Sequence, residues 1–303
     1  MSKVIRIGTR DSELALWQAK TVQAALEELG HKTELLPVKS TGDLNLEQPL
    51  YEMGITGIFT KTLDVAMLTG KIDIAVHSMK DVPTALPKGI VEAAVLKRAN
   101  SKDILIHKGL DFLNSEGVIA TGSLRRKAQW LNKYPSHSSV DLRGNVNTRM
   151  QKLKDSDWNG AIFAAAGLER INLTPENSLD LDWMLPAPAQ GAMLVVAMEN
   201  DTETRDILKS LNHRESEICV HMEREFLKVL EGGCTAPIGA LAKIEGNEIS
   251  FKGALFSLDG KKQVSIERRI SIEDAPNFGK ECALKVLNSG GSVLMEGIKK
   301  ALN

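Results

Sequence analysis

Clustered arginines, one acid at a strand end and a cysteine on a glycine turn are the residues whose placement could do chemistry. Between Thr121 and Met150 lie Arg125, Arg126, Lys127, Lys133, Arg143 and Arg149 against a single acid, Asp141, a local formal charge of +5. A solvated basic face is the bland explanation. Four of the six are arginine, however, whose planar fork grips carboxylate or phosphate through paired hydrogen bonds. Arg125 and Arg126 follow Ser123, a good N-cap type, directly after an apolar run at 118–120. Arg143 follows the next such run and precedes Gly144 and Asn145, which open a helical pattern. A third corner, Gly8-Thr9-Arg10-Asp11-Ser12, joins the first apolar run to the first helical one. Capping explains Ser12 but not Arg10. Strand ends leading into helix N-termini are where α/β sheets hold anions. Three corners that each deliver arginine suit a cleft for a ligand with several negative groups. The loops Gly-x-x-x-x-Gly-Lys-Ser/Thr and Gly-x-Gly-x-x-Gly, the usual phosphate cradles, are missing, so the favoured anion is a polycarboxylate.

Two further segments carry reactive types. His77-Ser78-Met79-Lys80-Asp81-Val82-Pro83 comes straight after an apolar run. Lys80 and Asp81 as an exposed ion pair would contribute only about 0–1 kcal/mol. A carboxylate facing an arginine-rich cleft has a stronger use: it stabilises a developing cation while the arginines hold the substrate's anions. His77 reads as a packing residue and is left out of the site. In Glu231-Gly232-Gly233-Cys234-Thr235-Ala236-Pro237 the two glycines end a helical pattern, and Cys234 sits on the turn. That thiol is either a small hydrophobe beside a helix stop or a projecting nucleophile, and spacing leaves both open. Cys219 and Cys282 fall within helical patterns and read as structural. Four clustered Cys/His ligands for a zinc ion cannot be assembled, so no metal site is expected.

The elements that must position these residues follow from periodicity. Short apolar runs at 4–8, 33–38, 72–77, 89–95, 118–120, 139–142, 161–165 and 192–198 predict strands. Helical patterns at 13–29, 58–69, 124–131 and 146–153 lie between several of them. Such alternation predicts α/β layers around mixed, mostly parallel sheets. The stretches 97–103 and 185–190 interrupt the pattern as a chain crossing twice between two domains would. From about residue 218 the style changes to a long helix, three strands and two more helices, a small α+β domain. The expected division is 1–98 plus 190–215, then 101–188, then 217–303. A chain of 303 residues accommodates that. A net charge of −1 and 4% aromatic residues argue against nucleic acid as partner. No signal peptide and no apolar run long enough for a membrane span are seen, and the three cysteines are sparse and odd in number. A cytoplasmic protein without membrane contact is the expectation.

Taken in order, seven motifs closely resemble the porphobilinogen deaminase family of tetrapyrrole biosynthesis. They are RxSxLALxQ at Arg10–Gln18, DIAVHSMKDVP at Asp73–Pro83, GSLRR at Gly122–Arg126 and LRGNVxTR at Leu142–Arg149. AxAGLxR at Ala164–Arg170, LPAxxQGA at Leu185–Ala192 and EGGCxxPIG at Glu231–Gly239 complete the series. The resemblance implies two domains like a bacterial solute-binding protein joined by a double hinge, plus the C-terminal domain. It implies a hydroxymethylbilane synthase, a transferase that condenses four porphobilinogens head to tail with loss of ammonia and frees the linear tetrapyrrole by hydrolysis. It also implies a dipyrromethane cofactor on a thioether to Cys234, polycarboxylate oligopyrrole intermediates and a monomeric enzyme. By position, Asp81 matches the catalytic aspartate, with Arg10 beside it. Lys80, Asp81, Ser123, Arg125 and Arg126 match cofactor contacts. Arg10, Ser12, Arg143, Arg149, Arg170, Gln190 and Phe59 match substrate contacts.

The chain departs from the family pattern at Gly54-Ile55-Thr56-Gly57-Ile58-Phe59, where a lysine commonly stands at the position of Thr56, and at Glu52, another frequent lysine. The expectation is that this loop covers the site sterically rather than by charge. Two rival readings are a non-catalytic binder of a polyanionic metabolite, which gives Cys234 no task, and a cysteine hydrolase, which requires a base near the thiol.

Overall fold

The computed structural model describes residues 3–38, 60–230 and 236–302. In chain order the first elements are β1 (Val4–Thr9), α1 (Glu13–Glu28), β2 (Lys32–Pro37), α2 (Lys61–Leu68), β3 (Ile74–Ser78) and β4 (Ile90–Val95). Next come β5 (Asp103–His107), β6 (Val118–Ala120), α3 (Leu124–Lys133), β7 (Ser138–Val140), α4 (Val146–Asp155), β8 (Gly160–Ala164), α5 (Ala165–Glu169) and β9 (Ser178–Asp180). The chain continues with β10 (Met193–Met198), α6 (Thr202–Leu208) and α7 (Arg214–Val229). It closes with β11 (Ile238–Glu245), β12 (Glu248–Phe256), β13 (Gln263–Ser271), α8 (Phe278–Val286) and α9 (Ser292–Leu302).

These elements form two compact units. The first holds the described residues up to 99 together with 191–217. Its sheet runs β2-β1-β3-β10-β4, with β1 parallel to β2 and β3, and β10 antiparallel to β3 and β4. Ala19, Val22 and Leu26 recur every three or four residues along α1, so one face of the helix is apolar and lies with Ile5, Ile7 and Ile74 in the core. Ser12 opens that helix by accepting from the Ala15 N–H, and Gly30, at φ +85°, supplies the left-handed residue that ends it.

The second unit holds 100–190 and the described residues from 218 on. Its five-stranded sheet runs β7-β6-β8-β5-β9, with β6 parallel to β7 and β8, while β5 is antiparallel to β8 and β9. Ile104 and Ile106 enter one core cluster and Leu105 another, so β5 is buried on both faces. That is why its sequence reads as an unbroken apolar run rather than an alternation. A three-stranded antiparallel sheet, β11-β12-β13, packs against residues of α7 and α8, where the Phe226, Phe251 and Phe278 rings meet edge to face at 5.3 and 6.3 Å. Gly253 makes room there, since a Cβ at that position would lie 2.7 Å from Phe226 Cζ.

The layers are the expected α/β ones with mixed sheets, and the C-terminal α+β region has its three strands where the periodicity put them. Parallel pairings make up two of the four in each five-stranded sheet. Strands β5 and β9 are additions to the expected set. β5 starts at Asp103 directly after a polar run that masks its onset, and β9 has only three residues. Segment 185–190, expected as a plain crossing, is firmly tied within the second unit. The Leu185 backbone exchanges two hydrogen bonds with the Gln129 side chain on α3, at 2.8 and 2.9 Å. Pro186 accepts from the Ala240 N–H, and the buried Glu223 carboxylate receives the N–H groups of Ala189 and Ala242, each at 2.7 Å.

Candidate active site

In the first unit, β1 ends at Thr9 and delivers Arg10 to the loop before α1. β3 ends at Ser78 and runs into a single 3₁₀ turn, Met79–Asp81. Met79 is fully buried and its N–H donates to the Ala192 carbonyl, so the turn that carries Lys80 and Asp81 is pinned to the sheet. Gln18, buried on α1, donates to Ser78 Oγ at 2.9 Å and locks the helix to the strand end. Together Arg10, Ser12, Gln18, His77, Ser78 and Asp81 line a recess of about 70 Å³. A carboxylate and a guanidinium thus share one small pocket. His77 is buried in its wall, and burial, helped by the charge of Arg10, pulls its imidazole down to about 4. The ring is neutral at physiological pH.

The arginines of the second unit stand on two helix starts. Ser123 caps α3 by accepting from the Arg126 N–H, and Asn145 caps α4 by accepting from the Thr148 N–H at 2.9 Å. Two glycines permit the turns. A Cβ on Gly122 would lie 2.5 Å from the Leu142 carbonyl oxygen, and Gly144 adopts φ +112°, a conformation that L side chains rarely take. Arg149 Nε donates to the Gly144 carbonyl at 2.7 Å. Arg143 and Arg170 are both depressed by burial, against smaller opposing effects of Asp141 and Glu169. Desolvated guanidinium groups of this kind gain most from an anionic ligand.

Arg125 and Arg126 converge on Asp103, the first residue of β5. Arg125 Nη1 lies 2.6 Å from Oδ2; Arg126 reaches Oδ1 through Nε at 2.9 Å and Nη2 at 2.8 Å. The Gln190 side-chain amide donates to the same Oδ1 at 2.9 Å and to the Ser101 carbonyl. Burial pushes the Asp103 carboxyl up, but Arg125 and Arg126 outweigh it and hold it well below the usual carboxylate range. All of Asp103, Arg125, Arg126 and Gln190 are buried, at 0, 4, 5 and 0% exposure. Two cations therefore share one carboxylate. Arg125 Nε is buried with no hydrogen-bond partner among the described residues, a donor left for something else.

Sequence patterns thus identify Arg10, Ser12, Lys80 and Asp81 at one pair of strand ends, and Ser123, Arg125, Arg126, Arg143 and Arg149 at another. Arg170 closes the short helix α5. Cys234 and Phe59 lie outside the described residues, as do Glu52 and Thr56. Asp103 and Gln18 went unnoticed as site residues, and His77, read as packing, lines the recess. Gln18 closes the first motif and could have been found there; Asp103 ends a polar run and carries no local signal of its two partners. Cys219 and Cys282 are buried in the C-terminal core, as expected, and burial pushes the Cys282 thiol up to about 11.

Two family models match almost the whole chain. Residues 5–206 fit "Porphobilinogen deaminase, dipyromethane cofactor binding domain" and residues 217–288 fit "Porphobilinogen deaminase, C-terminal domain". The chain belongs to the porphobilinogen deaminase family. Curated porphobilinogen deaminases from Chloroherpeton thalassium and Desulfitobacterium hafniense are 39 and 41% identical to it over 306 and 305 residues. The matches cover 97 and 98% of this chain and 98% of each relative. Among solved structures the chain is similar to a probable amino-acid transporter extracellular-binding protein of Bacillus subtilis, with a TM-score of 0.45 and 12% identity over 70% of this chain and 90% of that one. Among the described residues no helix is long and apolar enough to cross a membrane. The second unit fits the cofactor of the porphobilinogen deaminase family. Dipyrromethane is a polycarboxylate, and the unit offers desolvated arginines at Arg143 and Arg170 and the unused Arg125 Nε.

Proposed function

We propose that this chain is a hydroxymethylbilane synthase. It condenses four porphobilinogen molecules head to tail on a dipyrromethane primer with loss of ammonia, and releases the linear tetrapyrrole by hydrolysis. The match of both family models, which together cover nearly the whole chain, is the observation that carries this reading. Bound dipyrromethane supplies the pyrrole terminus that is extended. We assign its anchorage to Cys234 through a thioether, and the holding of its carboxylates to Arg125, Arg126, Ser123 and Lys80. Arg10, Ser12, Arg143, Arg149, Arg170, Gln190 and Phe59 are assigned to substrate and growing chain.

The residues act by charge placement. Asp81, fixed by its 3₁₀ turn, offers a carboxylate to the pyrrole nitrogen and stabilises the positive charge that develops as ammonia leaves. Arg10, in the same recess, holds a substrate carboxylate and orients the ring toward Asp81. Asp103 cancels one of the two charges of Arg125 and Arg126, which leaves a net positive charge for one ligand carboxylate. We assign three domains, 1–98 plus 190–215, 101–188 and 217–303; the separate sheets and core clusters support the division. A monomer in the cytoplasm, acting on polycarboxylate intermediates, completes the proposal.

Intact-mass measurement of the purified protein tests the reading. A mass increment equal to a dipyrrole and a pyrrole colour with Ehrlich's aldehyde in acid are expected. An unmodified protein that neither gains the adduct from porphobilinogen or hydroxymethylbilane nor consumes porphobilinogen would overturn it.

A further inference from the structure

His77 is the second residue before the turn of Lys80 and Asp81, on a strand paired with β10, where it faces Leu194 in register. It is buried, yet its Nε2 has no hydrogen-bond partner among the described residues. Leaving a buried polar atom unsatisfied costs about 1–3 kcal/mol, so such an atom calls for an explanation. His77 is among the residues that line the recess with Arg10 and Asp81.

Division of labour selects the substituent. Porphobilinogen carries two carboxylates, a pyrrole N–H and an aminomethyl group. Carboxylates suit Arg10, and the pyrrole N–H is already assigned to Asp81. The imidazole is neutral beside Arg10, so it cannot act as an acid at physiological pH, but a neutral ring nitrogen can accept an N–H. We propose that His77 is a substrate-contacting residue whose Nε2 accepts a hydrogen bond from the aminomethyl nitrogen of incoming porphobilinogen. The contact positions the carbon–nitrogen bond that will break; it transfers no proton. This inference rests on the function proposed above.

The test uses holoenzyme loaded from hydroxymethylbilane, so that attachment does not depend on a variant's own turnover, with loading verified by intact mass. In His77→Phe the KM for porphobilinogen is expected to rise about tenfold, with kcat within about threefold. His77→Gln, which restores a polar edge, is expected to recover most of that loss. An analogue with methyl in place of aminomethyl should inhibit wild type and His77→Phe equally. In ¹⁵N NMR of wild type, porphobilinogen should shift the Nε2 resonance and the analogue should not. An unchanged KM in the loaded variant, equal weakening of substrate and analogue, or an Nε2 signal indifferent to porphobilinogen would each overturn the assignment. A wild-type protein that takes up no dipyrrole mass overturns the function and this contact together, a result distinct from a loaded variant with unaltered KM.

Discussion

Asp81 leaves β3 on one turn of 3₁₀ helix whose first residue is fully buried, so its carboxylate is aimed by the backbone. Asp81→Asn is therefore expected to fold and to keep its dipyrrole mass while kcat falls at least about 100-fold, as when other preorganised electrostatic groups are removed. Near-normal turnover in the loaded variant would remove the role. Cys234→Ser is expected to show the unmodified mass under all loading conditions, and a stable adduct in it would place the linkage elsewhere. Arg125 bridges Asp103 and the Leu185 carbonyl through Nη1 and keeps Nε unpartnered. Arg125→Lys preserves the charge but cannot meet all three demands from one ammonium. Slower uptake of dipyrrole from hydroxymethylbilane by that variant, read as mass against time, is the expected outcome.

Two helix starts carry the arginines, and each depends on a cap and a glycine. Ser123→Ala and Asn145→Ala are each expected to lower stability by about 1 kcal/mol, measured by denaturant unfolding. Gly122→Ala should lose more than either, because its Cβ would meet the Leu142 carbonyl oxygen, a backbone atom that cannot rotate away. A Gly122→Ala protein as stable as wild type would mean that the β6–α3 turn relaxes freely. These starts were legible in the sequence, since Ser and Asn caps, Gly turns and apolar runs are local signals. β5 was not, because its first residue, Asp103, looks like the end of a polar linker.

Across the whole molecule, buried titrating groups make acid the weak side of stability. His77 has a folded value of about 4 against an ordinary 6.5, so the unfolded chain binds its proton first as pH falls. Stability from this group is complete above about 6.5 and declines down to about 4, a loss of roughly 3 kcal/mol. Asp103 is held below the ordinary carboxylate range, so its contribution is present above about 4 and is lost only at lower pH. Stability measured from unfolding should therefore fall more between pH 7 and 4 in wild type than in His77→Phe. Equal slopes for the two proteins would contradict the neutral, buried imidazole.

The near-zero net charge, most of the strands and helices, and the motifs that mark the porphobilinogen deaminase family were determined by sequence alone. They depend on residue types at short spacing, which the chain displays without folding. Asp103 between two arginines, Gln18 on Ser78, and His77 in the wall beside Arg10 join residues between 22 and 67 positions apart. Only the tertiary structure could decide those, because burial and partnership belong to the packed sheet ends and not to any stretch of chain.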